Sequence, residues 1–375
     1  MGDDNRLHLG PVGAPSARAP ETPVEEPAAA PEPAEQAVPR MTKQTSFAEQ
    51  ISLSGRHPVL LFGTAESGKS TLLISLINSM AQNDKHINIS LGDRIFSRGD
   101  PEAERHYQRA IEFYQRYSKE FAAGSQLPTT NVEKPFFIPI DIRPANGPTA
   151  RFAFLEGKGD WINPIPGDSG AMFQELKPEI IDLLKHFSAV ASVIYVAPFS
   201  IGEAITGSTD ESDTGLNGAI IKYEESRSLP ERDSHLFVLA KWDTFAPPDK
   251  NDPLFSHVEG DEVAALLAER FPQSWARFRN LPLRPNSGRR FFMQYAAGHI
   301  TGGIVRRPPP RYREVFDRYP RSVWNWLYTN AVEALAEGGK GPEQTPPPLF
   351  PEALPVKPPR PTIIERILAL LSGRK

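Results

Sequence analysis

Apolar positions fall into short blocks whose period changes along the chain. Residues 58–62 form a continuous apolar run of strand length. Leu72, Leu73, Leu76, Ile77 and Met80 follow at spacings that predict a helix over 69–82. Residues 83–100 are polar and read as irregular. A second helix is predicted over 101–123: Pro101 opens it, Ile111, Tyr114 and Tyr117 recur at helical spacing, and Gly124 ends it. The period then drops to two. Phe136, Ile138, Ile140 and Ile142 alternate as in a strand, with Pro139 arguing for an edge position. Residues 151–155 form another strand, and Asn146-Gly147 between the two points to an antiparallel hairpin.

The second half alternates in the same way. A helix is predicted over 175–187. Residues 188–197 are almost continuously apolar, which suits a central parallel strand. Residues 200–215, rich in Ser, Thr, Gly and Asp, read as a loop. Residues 218–227 and 263–271 read as helices, and 236–240 and 290–295 as strands. Trp324, Trp326, Leu327 and Val332 give 312–335 a helical period, with Pro320 as a kink or break. Strands alternating with helices, plus one early hairpin, predict a three-layer α/β fold. Its sheet is expected to be mostly parallel, with helices on both faces.

Composition sets the limits of that domain. The chain has 375 residues and a net charge of −4; residues 1–40 hold seven acids and three bases, so the remainder is neutral. A neutral remainder gives no reason to expect a nucleic-acid partner. The 39 prolines are clustered, with eight in 1–40 and nine in 340–361. Both stretches lack apolar periodicity and are expected to be extended or disordered. The expected organisation is an acidic Pro/Ala/Glu-rich tail over 1–41, a domain with insertions over 42–338, a Pro-rich linker over 339–360 and a short amphipathic helix over 361–375. There are 0 cysteines, which excludes disulfides and cysteine-zinc sites and fits a reducing compartment. No apolar run approaches the ~20 residues of a membrane span. Asp3 and Asp4, with no apolar block after them, do not suit a secretory signal.

The expected location is therefore cytoplasmic, with peripheral contact at the inner membrane surface left open by the last segment. There Thr362 and Glu365 make a capping box, and Ile364, Ile367, Leu368 and Leu371 line one face. From Lys357 onward five bases stand against one acid. A partner groove, the chain's own domain and an anionic membrane surface all suit such a segment.

The chemistry gathers behind the first apolar run. Gly63, Thr64, Ala65, Glu66, Ser67, Gly68, Lys69 and Ser70 fit G-x-x-x-x-G-K-[ST], with a strand before and a helix after. Gly63 and Gly68 permit backbone angles that a side chain forbids, so successive N–H groups can turn inward on phosphate oxygens. The opening of the helix adds its positive end. Lys69 brings an ammonium to the outer phosphates and Ser70 a hydroxyl to Mg²⁺, while the 64–71 backbone, through Thr71, completes the cradle.

Four further stretches follow in an order that resembles the Ras-like and translation-factor-related P-loop GTPases, in a divergent bacterial-type form, over most of 58–335. Thr130, or Thr129, stands ahead of 136–142 where the family's first switch carries a threonine. The resemblance implies a Mg²⁺ ligand there that also senses the γ-phosphate. Glu156 and Gly159 take the places of D-x-x-G, with Glu for Asp. That implies a carboxylate behind a Mg²⁺-bound water and a glycine N–H turned toward the γ-phosphate. Asp160 stands where the family has the Gln that orients water. Ala240-Lys241-Trp242-Asp243 resembles N/T-K-x-D, with Ala240 in the first place. The Asp243 carboxylate can accept from guanine N1–H and the 2-amino group, and the Lys241 stem can cover the base plane. Ala296 and Ala297, after the last strand, resemble the small-residue turn that offers a backbone N–H to guanine O6.

The resemblance implies a P-loop NTPase fold with a Ras-like G domain, GTP and GDP as ligands, and Mg²⁺ as the metal. Lys69, Thr130, Gly159 and Asp160 are then the catalytic set, and Ser70, Thr130 and Glu156 the metal set. Asp160 implies slow intrinsic hydrolysis, and a protein effector or activating partner that completes the site; Ala240 implies weaker bracing of the base loop, and Glu156, Asp160 and Ala240 together support a scaffold that does not turn over. A nucleotide-binding scaffold without turnover and an ATP-using P-loop NTPase stand beside this reading; Lys241-x-Asp243 argues against the second. His299 reads as structural, and the arginines at 306, 307, 311, 313, 318 and 321 as a solvated helix face.

Overall fold

The structure is a computed structural model. It describes residues 51–64, 66–80, 87–93, 101–125, 127, 135–157, 178–187, 189–199, 205–242, 260–283, 290–301, 304–306, 313–337 and 349–350, with only the backbone described at some positions inside elements. The chain divides into Met1–Pro39 and Arg40–Lys375, and every described residue belongs to the second unit.

Seven strands form one sheet. They are β1 (His57–Phe62), β2 (Ile87–Leu91), β3 (Phe136–Pro144), β4 (Ala150–Glu156), β5 (Ser192–Pro198), β6 (Ser234–Ala240) and β7 (Arg290–Gln294), in the order β2-β3-β4-β1-β5-β6-β7. Only β3 runs against its neighbours; β4, β1, β5, β6 and β7 are parallel. The helices are α1 (Lys69–Met80), α2 (Pro101–Ala123), α3 (Pro178–His186), α4 (Ile205–Ser226), α5 (Gly260–Arg270), α6 (Pro272–Asn280) and α7 (Arg313–Glu337). A separate hairpin, β8 (His299–Thr301) with β9 (Ile304–Arg306), follows β7.

Register shows which face each helix covers. His57 and Val59 lie beside Phe152 and Phe154, so these four share a face. Trp324 of α7 packs on Phe152 and Phe154, and its indole N–H donates to Leu76 O of α1 at 2.9 Å. Phe62 lies beside Tyr195, and Tyr195 beside Phe237, on the opposite face. There Phe62 meets Tyr223 of α4, while Tyr195 and Phe237 meet Phe278 of α6. The sheet is thus sandwiched between two helical layers, an α/β fold of three layers.

Both strongly apolar strands and the sharply ended helix sit where the pattern puts them. α2 stops at Gly124, whose φ of 71° lets Gly124 N–H reach Phe121 O and Ser125 N–H reach Glu120 O, a Schellman closure. The 136–156 hairpin forms as expected. At its turn a Cβ on Gly147 would stand 2.7 Å from the Tyr328 hydroxyl, which donates to Pro148 O.

Several expectations are corrected. Residues 83–100 are not wholly irregular: Ile87–Leu91 pairs with β3, so β3 is not the edge strand. Pro139 is tolerated because the β2 ladder ends opposite Ile140; Pro139 O accepts Gly92 N–H, and the missing Pro N–H faces past the last β2 residue. Most of 200–215 is helix rather than loop, since α4 begins at Ile205. Its polar character has a tertiary use. The buried Asp213 carboxylate accepts Gln273 N–H, Ser274 N–H and the Ser274 hydroxyl, and so caps α6, whose own N-cap residue Phe271 offers no side-chain acceptor. Pro320 lies inside α7 without ending it. Of the six arginines, 306 lies in β9, 313, 318 and 321 in α7, and 307 and 311 outside the described residues. Arg321 covers the ring of Phe350. Phe350 itself, inside the expected Pro-rich linker, is buried; its backbone N–H donates to the Asn325 side-chain Oδ1 and its C=O accepts from Asn325 Nδ2.

Candidate functional site

The carboxyl ends of β1, β4, β5, β6 and β7 share one edge of the sheet, because these strands are parallel. At that edge β1 gives way to α1 through Gly63, Thr64, Glu66, Ser67 and Gly68. Tight packing excludes a side chain at Gly63: an added Cβ would lie 2.5 Å from Ser67 Oγ and 2.7 Å from Val196 O. At Gly68 the constraint is the backbone, with φ of 100°. Ser67 N–H donates to Thr64 O at 3.2 Å and closes the turn.

Lys69 folds back over this turn. Its ammonium donates to Gly63 O at 2.5 Å and Thr64 O at 2.8 Å. An ammonium carries three N–H donors, so these two carbonyls leave one to spare among the described residues. Burial pushes the Lys69 ammonium down to about 8, against the opposing pull of the Glu156 carboxylate. The hydroxyls of Thr64 and Ser67 are buried and have no hydrogen-bond partner among the described residues. Ser70, at the start of α1, donates through Oγ to Glu156 Oε1 at the end of β4 at 3.0 Å, across 86 positions of sequence.

Two further loops reach the same edge. Ala240 ends β6 close to the turn, with its Cβ 3.9 Å from where a Cβ on Gly68 would stand. Lys241 follows with φ of 59°, and Trp242 N–H donates to Tyr295 O at 3.1 Å. That bond sets the 241–242 turn beside Tyr295, Ala296 and Ala297 after β7. Among the described residues only Glu66 and Lys241 are non-glycines with positive φ, and they fall in the two loops expected to hold phosphate and base. Such a conformation costs about 1–2 kcal/mol and persists where the surroundings impose it.

No protein-family model matches the chain, and no curated protein matches it either. The site therefore rests on its own residues.

The structure brings together Gly63, Thr64, Glu66, Ser67, Gly68, Lys69, Ser70, Thr71 and Glu156, and places Lys241, Ala296 and Ala297 along the same edge. Ala65, Thr130, Gly159, Asp160 and Asp243 lie outside the described residues. So do the tail over 1–41 and the segment over 361–375. Among the described residues no three His, Cys, Asp or Glu side chains gather as a metal cluster, and no helix is long and apolar enough to cross a membrane. Sequence reasoning missed the two orphaned hydroxyls and the contact of Tyr295 with α1, described below. Neither has a local signature, because each depends on which elements pack together.

Proposed function

We propose that the chain is a guanine-nucleotide-binding protein of the P-loop class, a GTP-dependent switch with slow intrinsic hydrolysis. The observation that carries this reading is the coincidence of strain and motif: the left-handed Glu66 and Lys241 belong to two loops 175 positions apart in sequence that lie at one sheet edge. Open α/β sheets bind ligands at that edge.

In this reading the backbone of 64–71 and the Lys69 ammonium hold the β- and γ-phosphates. The Thr64 and Ser67 hydroxyls, buried and without a partner among the described residues, support a polar ligand at this turn, and the Lys69 ammonium beside them favours an anionic one. Ser70, Glu156 and Thr130 are the groups that would hold Mg²⁺. Ser70 Oγ and Glu156 Oε1, 3.0 Å apart, are oxygen donors of the kind a hard cation takes. The metal supplies charge neutralisation on the outer phosphates. Lys241 and Asp243 select guanine, with Ala296 and Ala297 offering backbone N–H groups to O6. Hydrolysis needs positioning and neutralisation of charge more than covalent chemistry, and Asp160 in place of a water-orienting amide makes it slow. A partner that supplies an arginine or an amide accelerates it. The cytoplasmic location and any contact of 361–375 with a partner groove or membrane surface belong to the same proposal.

Two substitutions test it. Lys69→Ala abolishes binding of a fluorescent GTP analogue, and Asp243→Asn moves preference toward xanthosine nucleotide. Equal binding by Lys69→Ala and wild type overturns the phosphate assignment; an unchanged base preference in Asp243→Asn overturns the base assignment. A scaffold that binds without turnover is the second reading, favoured by Glu156, Asp160 and Ala240. Single-turnover measurement with Mg²⁺ and GTP separates the two.

A further inference from the structure

The loop after β6 is tied at its two ends to one residue. Tyr295 N–H donates to Leu239 O at 2.8 Å, and Tyr295 O accepts Trp242 N–H at 3.1 Å, so the Ala240–Lys241 turn is clamped on both sides by the Tyr295 backbone. The side chain of the same residue runs the other way. Its hydroxyl lies 2.5 Å from Ser75 Oγ, on α1, six positions beyond Lys69. Ser75 Oγ also stands 2.8 Å from Leu72 O, a carbonyl that can only accept. The single Ser75 proton is therefore committed to Leu72 O, and the Tyr295 hydroxyl must be the donor to Ser75. Tyr295 and Ser75 are both buried, and Tyr319 of α7 packs on the Tyr295 ring. This is a satisfied, directional link that no pattern in the sequence announces.

We infer that Tyr295 is a positioning residue that couples the base-reading loop to the phosphate-binding helix, setting Lys241 and its neighbours at a fixed distance from Lys69. The inference rests on the nucleotide reading above and adds a residue to it. A base-reading loop helps only if it is held where the base lies once the phosphates are gripped. Binding energy from the base is otherwise spent on ordering the loop. The carbonyl and amide of Tyr295 fix the turn in the sheet plane, and its hydroxyl fixes that plane against α1.

Tyr295→Phe removes only the donor, whereas Ser75→Ala removes the acceptor together with the Ser75 hydrogen bond to Leu72 O. Titrations of the full chain use GTP and inorganic tripolyphosphate as probes, and hydrogen exchange at Trp242 is followed without ligand. Tyr295→Phe is expected to speed Trp242 exchange and to weaken GTP about five- to tenfold, the effect of one lost hydrogen bond. Tripolyphosphate, which makes no base contact, is expected to bind unchanged. Ser75→Ala added to Tyr295→Phe leaves the ratio of GTP to tripolyphosphate affinity where Tyr295→Phe put it, because the Tyr295–Ser75 bond is already gone. An unchanged ratio of GTP to tripolyphosphate affinity in Tyr295→Phe overturns the positioning role, whatever the exchange rate does. A wild-type chain that binds neither probe overturns the nucleotide reading and this inference with it. A chain that binds both, but whose ratio ignores Tyr295, leaves that reading standing and removes the inference alone.

Discussion

Two buried polar clusters sit at opposite ends of the same parallel strands, and they are finished to different degrees. At the amino ends of β5 and β6, Asp233 accepts Ala191 N–H, Tyr223 OH, and Arg227 Nε–H and Nη2–H. The Arg227 guanidinium also donates to Phe187 O and Ala189 O. Every lone pair of that carboxylate has a donor, as a purely structural ion pair requires. At the carboxyl ends, the Gly63–Ser70 turn holds a desolvated ammonium resting on two carbonyls, two hydroxyls without partners among the described residues and a left-handed Glu66. Folding satisfies the Asp233 carboxylate completely and the Gly63–Ser70 turn less so. Burial of a charge does not by itself distinguish the two ends; the completeness of the hydrogen bonding around it does.

The largest expected effect tests the structural end. Asp233→Ala leaves the Arg227 guanidinium buried without its anion and costs about 3–5 kcal/mol, read from chemical denaturation. Lys69→Met, at the other end, leaves the unfolding free energy of the ligand-free chain unchanged or higher, because it removes a desolvated charge. A loss in Lys69→Met as large as in Asp233→Ala would erase the distinction between the two ends.

The pH profile separates the ends next. Burial pushes His57 and His235, near the amino ends, down to about 4 from 6.5. The unfolded chain then binds more protons between those values, so stability is lost as pH falls from 6.5 toward 4. Lys69, with a folded value of about 8 against 10.5, gives a second window: the unfolded chain binds more protons between pH 8 and 10.5, so stability rises with pH there. Denaturation of wild type and Lys69→Met at pH 7, 8 and 9 checks it. Their difference narrows or changes sign as pH rises; a constant difference would show that Lys69 has an ordinary pKa.

The smallest effect compares two hydroxyls. Tyr223→Phe removes a donor to Asp233 and costs about 1–2 kcal/mol. Ser67→Ala removes a hydroxyl without a partner and costs nothing, or stabilises, in the ligand-free chain. Equal losses from the two would mean that Ser67 is satisfied in solution.

The parts legible in the sequence are those set by local rules. The apolar runs at β1, β5 and β6, the 3.6-residue period of α2 with Gly124 at its end, and Asn-Gly in the hairpin each follow from a few adjacent residues. The glycine spacing at 63–68 also predicts a turn that the backbone angle at Gly68 requires. β2 and α4 were not legible, for physical reasons. Ile87, Ile89 and Leu91 are too short a pattern without the β3 edge they pair with. The Ser/Thr/Asp-rich start of α4 carries turn composition, and Asp213 serves a cap 60 positions away. At the site, Lys69 and Ser70 were legible from spacing. The 3.0 Å approach of Glu156 follows from register between β4 and β1, and the Tyr295–Ser75 link from packing of β7 against α1. The motif around Glu156 puts it in one set with Ser70 but not at a contact distance, and no run of neighbouring residues encodes the Tyr295–Ser75 link.

Calorimetric titration of the full chain with GTP at pH 8 and saturating Mg²⁺, in two buffers of different ionisation enthalpy, bears most directly on the claim that the carboxyl-end donors await a triphosphate. The account predicts binding of one equivalent, weaker heat with ATP, none in Lys69→Ala, and a buffer-dependent enthalpy showing proton uptake as Lys69, poised near pH 8, becomes fully charged against phosphate. Titrations that give no heat with GTP, or the same heat in Lys69→Ala, would contradict it.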